Sequence, residues 1–194
     1  MGRAILQPSS RLLNHNELIY APGDRGLARD LFRAIGCRVL DPQEETGPDD
    51  LGAAAGPYLI IFVQPDSDDL IDNVMYASEA TPAQWAFEQL LRRRIEADPE
   101  LTAARDAFLA QFSVTPYAMT HFGIAMDEAQ QAAALEAIAA NPPLAERVRV
   151  AGPFRPGDPG SVDPRVIQAF LRTDIVSANL LAGEQQIELQ VRLD

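Results

Sequence analysis

Two short stretches constrain this chain most, because each reads as a two-faced strand and each carries one of its only two histidines. Residues 119–126, MTHFGIAM, alternate strictly. Thr120, Phe122, Ile124 and Met126 take one face, and His121, Gly123 and Ala125 take the other. The second face sets an imidazole beside two very small side chains, which suits a strand lining a cavity. Residues 13–20, LNHNELIY, put His15 in the same relative place. Two copies of one module sharing a sheet would explain the echo, whereas a spacing this long is outside the range of solenoid repeats.

The segments after each histidine follow the same order. Asp24 is a helix N-cap candidate, Leu27, Leu31, Ala34 and Ile35 recur at helical spacing, and Gly36 stands where a C-terminal glycine belongs. Residues 37–40 and 58–64 read as strands, the latter apolar on both faces, and residues 73–80 as another. Between the first two lies an acidic Gly/Pro/Ala-rich stretch, 41–57, of the length typical of lids or disordered loops. After His121, Asp127 caps a helix with Gln130 three residues on. Ala132, Leu135, Ile138 and Ala139 form its buried face, and Asn141-Pro142-Pro143 ends it. Strands are predicted over 147–154, 166–173 and 185–192. In the last, Ile187, Leu189 and Val191 face inward and Gln186, Glu188 and Gln190 lie opposite. Each half therefore reads strand, helix, strand, strand, strand.

Residues 81–112 interrupt the pattern with two helices. Thr81 caps the first, Pro82 takes its first position and Gln84 completes a capping box; Asp98-Pro99 restart the same grammar. Phe87, Leu90, Leu91 and Ile95 form one apolar stripe, and Leu101, Ala104, Phe108 and Phe112 the next. The expected organisation is a first module over 11–80, a helical connector over 81–112 and a second module over 113–194, together one α+β domain.

Charge narrows the partners. Sixteen Lys and Arg against 28 Asp and Glu give a net charge of −12, which repels phosphate backbones and anionic headgroups. No nucleic-acid or membrane partner is expected, and the basic run Arg92–Arg94 reads as a solvated helix face. The longest mainly apolar run, 51–63, is too short and Gly-rich to span a bilayer, and the start of the chain lacks the apolar core of a signal peptide. The single cysteine, Cys37, admits no intramolecular disulfide and fits a reducing compartment, so a cytoplasmic protein is expected.

Three stretches, LNHNELIYAPGDRGLARDLFRAIGCRVLD, THFGIAMDEAQQAAALEAI and GEQQIELQV, resemble in their order and spacing the vicinal oxygen chelate superfamily of glyoxalase I, extradiol dioxygenases and bleomycin-resistance proteins. The resemblance implies two βαβββ modules closing into a half-open, U-shaped mixed sheet, with a helical insert between them. It implies a site for an oxygen-bearing small molecule at a divalent metal, Fe, Zn, Mn or Ni. Carried over by position, His15 matches the first metal ligand, His121 the third and Glu188 the fourth. The second falls on strand 73–80, where Glu79 is the one carboxylate and the repeat register points to Tyr76 or Ala77. Glu17, on the face of His15, or water are further options. A homodimer is also an expectation, since many members pair modules across subunits; Trp85 and Phe87 of the connector are candidates for that contact.

Two imidazoles and a carboxylate leave open positions on a metal, which can then polarise a carbonyl or stabilise an enolate. A glyoxalase-like lyase or isomerase would use Glu188 or Glu79 as its catalytic base. An Fe(II) dioxygenase would also call for a histidine that is not a ligand, and none is left over. The alternative is a metal-free binding or sequestration protein of bleomycin-resistance type. In it, His15 and His121 only hydrogen-bond, and Tyr58, Phe62, Phe170 and Tyr117 are candidates to line the cleft.

Overall fold

The expected alternation of the second histidine strand holds. In the computed structural model, which describes residues 14–43 and 57–193, Ile124 is buried in the main core with Phe122 and Met126 packed against it, while Gly123 and Ala125 are exposed. The strands are β1 (His15–Tyr20), β2 (Arg38–Leu40), β3 (Leu59–Phe62), β4 (Val74–Glu79), β5 (His121–Met126), β6 (Val148–Phe154), β7 (Val166–Thr173), β8 (Val176–Ser177) and β9 (Gln185–Arg192). The helices are α1 (Arg25–Ala34), α2 (Pro82–Ala97), α3 (Pro99–Ala110), α4 (Glu128–Ala140) and α5 (Pro142–Arg147). The predicted tail, residues 1–10, and most of the predicted loop over 41–57 lie outside the described residues.

The chain is α+β, with two mixed sheets. One has the order β2-β3-β4-β1-β8, the other β5-β9-β7-β6. In both, the histidine strand pairs in parallel with the last long strand of its half: β1 with β4 and β5 with β9. The third strand of each half pairs antiparallel with that last strand, and the second strand with the third. Counted from each histidine, the two long-strand orders are the same.

Local chemistry accounts for most elements. Alternation sends Leu18 and Tyr20 of β1, Met75 and Ala77 of β4, and Ile187 and Leu189 of β9 into one core with Ala28, Leu31 and Phe32 of α1 and Ala134 and Ile138 of α4. Each fully buried Leu or Phe there contributes about 1.5–3 kcal/mol. The chain leaves α1 through Gly36 at φ +88°, a left-handed conformation that costs other residues energy. Asp127 and Gln130 form the predicted capping box on α4. Thr81 caps α2 by accepting from the Gln84 amide; the reciprocal Gln84 bond of the predicted box is replaced by one from its Nε2 to the Asn179 carbonyl, 3.1 Å away.

Three features depart from the sequence expectation. Asn141-Pro142-Pro143 does end α4, but Asn141 also caps α5, because proline is at home in a first helical turn. Asp24, expected to cap α1 with its side chain, instead pairs with Arg147 of α5 at 2.7 Å, joining the two halves. Unpredicted β8 crosses over from the second half to extend the first sheet, pairing Ile19 with Ser177 and Tyr20 with Val176.

The connector helices lie on the outside. Of α2 only Glu88 is buried, and of α3 no residue is; Phe87, Leu90, Leu101 and Phe108 of the predicted stripes are exposed. Polar ties hold the pair down. Glu88, 0% exposed, accepts from the amides of Leu181 and Ala182 at 2.8 and 2.9 Å. Arg172 of β7 donates to the Leu109 carbonyl at the end of α3. Within the basic run Arg93 and Arg94 are exposed, while Arg92 is partly covered, 3.8 Å from Asp174. Among the described residues no helix is long and apolar enough to cross a membrane.

Candidate functional site

The register of β5, β9 and β7 builds a three-by-three array on the face opposite α4. Its rows are Arg172–Gln186–His121, Phe170–Glu188–Gly123 and Gln168–Gln190–Ala125. Glu188 sits at the centre and is 6% exposed. A buried carboxylate is costly unless donors surround it, and here the neighbours supply them. Gln168 and Gln190 both donate through Nε2 to Oε1, at 2.6 and 2.9 Å. The other oxygen, Oε2, lies 3.2 Å from His121 Nε2.

His121 is held from behind. Its Nδ1 is 2.6 Å from the Met119 carbonyl, an acceptor only, so Nδ1 carries a proton. In the neutral ring Nε2 would then present a lone pair to a carboxylate oxygen. The contact is a hydrogen bond when a proton lies between the two atoms. The ring also meets the edge of Phe170, with centroids 5.6 Å apart. Gly123 opens this pair to the outside. A Cβ there would stand 3.4 Å from Glu188 Oε2, so the missing side chain keeps the space over that oxygen clear; Gly123 lines the neighbouring groove, while Glu188 lies behind it.

That groove, about 410 Å³, lies between the two histidine strands. Asn14, His15 and Asn16 form one wall and Phe122–Ala125 the other, with Gln64 and Asn73 at the rim. A second cavity, about 530 Å³, lies on the far side of Asn16 and Phe122, which line both. It contains His121, Gln186, Arg172 and Phe108 of the connector. Both volumes fall in the range of small-molecule sites.

Of the predicted metal set, the structure brings His121 and Glu188 together and leaves His15 apart. His15 is exposed on β1, its Nδ1 3.0 Å from Asn14 Oδ1 and its ring at the edge of Tyr76. Among the described residues no three His, Cys, Asp or Glu side chains form a group that could hold a metal ion. The donor set thus does not fit the expected three-ligand centre. Glu79, offered as a base or second ligand, pairs with Tyr20 at the opposite end of β1 from His15, roughly 16 Å along the strand at about 3.3 Å per residue, and on the other face.

The register also decides among the alternatives on β4. His121 is followed by the pair Gly123–Glu188, and His15 by the pair Glu17–Tyr76. Tyr76 therefore occupies in the first half the place of Glu188 in the second, and Ala77 faces the core. Burial, with the nearby Tyr58 and the charges of Glu17 and Asp69, raises the Tyr76 hydroxyl above its ordinary value, and it donates to the Leu70 carbonyl. The phenol remains protonated and committed, the opposite of a metal ligand.

The aromatic candidates fall elsewhere. Phe62 and Phe170 are buried, Tyr58 packs on Tyr76, and Tyr117 is exposed outside both cavities; Phe122, Phe108 and Met119 line the second cavity instead. Sequence reasoning missed the Gln168 and Gln190 clamp. For Gln190 the signal was present, two residues from Glu188 on its face; for Gln168 it appears only through cross-strand pairing. Comparison with family profiles, characterised proteins and solved structures gives no match to this chain.

Proposed function

We propose that this protein binds a small molecule without a metal, in the groove between β1 and β5, as a member of the vicinal oxygen chelate superfamily on its binding and sequestration side. The two halves would be βαβββ modules sharing a half-open, U-shaped arrangement. The identical long-strand order of the two sheets supports that architecture.

The observation that carries the functional reading is the Glu188–His121 pair behind Gly123. An oxygen or nitrogen of the ligand that offers a hydrogen would meet Glu188 Oε2 across the glycine gap. Gln168 and Gln190 keep the carboxylate oriented, and Met119 keeps the imidazole in one tautomer. Asn14, Asn16, Gln64 and Asn73 give the groove amide groups that both donate and accept. The same pair would let the protein exchange a proton with its ligand.

Two measurements test this reading. Protein purified without chelator is titrated with Fe(II), Zn(II), Mn(II) and Ni(II) by calorimetry, with no stoichiometric uptake expected. One equivalent bound, and lost in His121→Ala, would replace the proposal with the metal-enzyme reading. A fragment screen by NMR should give shifts at Asn16, Gly123 and Ala125 that disappear in Gly123→Val.

A further inference from the structure

We propose that the second cavity is a separate subsite for a neutral group that donates a hydrogen bond, a hydroxyl or an amide N–H, and that Gln186 Oε1 is its acceptor. Gln186 lines this cavity beside His121 and is 2% exposed. Its Nε2 donates to the Pro116 carbonyl at 2.7 Å, which fixes which end of the amide is which. Among the described residues, Oε1 is then left buried with no hydrogen-bond partner. An acceptor desolvated in this way costs about 1–3 kcal/mol unless a donor reaches it. Native proteins rarely tolerate that cost without a use for it.

The rest of the cavity says which donor. Among the described residues, the one Lys or Arg on its wall is Arg172, which already faces a carboxylate. Its Nε lies 2.7 Å from Glu184 Oε2, it donates to the Leu109 carbonyl, and its guanidinium stands 5.1 Å over the Phe112 ring. An anionic ligand would therefore find, among the described residues, no Lys or Arg free of a carboxylate there. Phe108, Met119 and Phe122 give the cavity an apolar lining for a flat or hydrocarbon body. A phenol-like or amide-bearing portion of a ligand fits this chemistry, while a carboxylate or phosphate does not. The inference rests on the reading that the cleft binds a small molecule, and it assigns that molecule a second point of contact across Asn16 and Phe122.

The probes are phenol, anisole and benzoate, titrated into the isotope-labelled full chain and followed through side-chain and backbone amide resonances. Phenol is expected to shift the Gln186 side-chain amide, with anisole and benzoate at least fivefold weaker. Gln186→Met, which removes the acceptor at similar volume, should weaken phenol at least fivefold. Should the Met variant not fold, the phenol–anisole comparison on the parent carries the test. Equal binding of anisole, tighter binding of benzoate, or an unaffected Gln186→Met overturns the subsite. Shifts at Gly123 and Ala125 with Gln186 silent overturn it while leaving the groove reading intact; no shift at either place removes both.

Discussion

Glu88 is the residue whose replacement tests the architecture most sharply. It is the one buried residue of α2, and both carboxylate oxygens are used: Oε1 by the Leu181 amide at 2.8 Å, Oε2 by the Ala182 amide at 2.9 Å. Hydrogen bonds to a charged group contribute about 1.5–3 kcal/mol each, and a buried amide left bare costs a similar amount. Glu88→Ala removes both bonds and opens a small void, so a loss of about 3–5 kcal/mol is expected. Glu88→Gln keeps one acceptor oxygen but turns an NH2 toward the other amide, so about half that loss follows. Against a typical total of about 5–15 kcal/mol, either change is large. Urea unfolding monitored by circular dichroism gives both numbers from the midpoint shift at constant slope. An Ala variant within about 0.5 kcal/mol of the parent would refute the idea that this carboxylate fastens the connector to the turn before β9.

Other outcomes follow from the same geometry. Asp41 is held below the usual carboxylate range: burial opposes this, but hydrogen bonds from Arg25 and the Gln43 amide and the charges of Arg25 and Arg29 outweigh it. Its stabilising contribution is thus complete above its ordinary value of 3.8 and fades as pH falls below that through the depressed value. Asp41→Asn should flatten this part of the acid-unfolding curve and cost about 3 kcal/mol at neutral pH. Gly152 has φ +97°, and a Cβ there would stand 2.7 Å from the Gln168 carbonyl. Gly152→Ala should lower stability by about 2–4 kcal/mol in thermal unfolding. Burial pushes the Cys37 thiol up to about 12, so thiol reagents at neutral pH should label it only after denaturant is added.

The sequence made most elements legible because their signals are local. Alternation over HFGIAM, the Asp127–Gln130 box and Gly36 all act within a few residues. The two histidine strands begin matching strand orders, one in each sheet. What stayed hidden depends on distant partners. β8 is two residues long and exists because an edge of β1 was free to take it. The face of Glu188, opposite Ile187 and Leu189, was legible, but its burial was not, since Gln168 arrives from another strand. The separation of His15 from His121 depends on how the two sheets meet, which no periodicity encodes. Glu88 read as an ordinary polar position on a helix because its two donors lie more than 90 residues later.

The strand exchange at β1 has a bearing on synthesis. Tyr20 and Ile19 find their second neighbour in Val176–Ser177, far later in the sequence. A nascent chain emerging from the ribosome must hold that edge uncapped until those residues have been made, a state open to pairing with other strands. Closure of the first sheet is thereby tied to completion of the second.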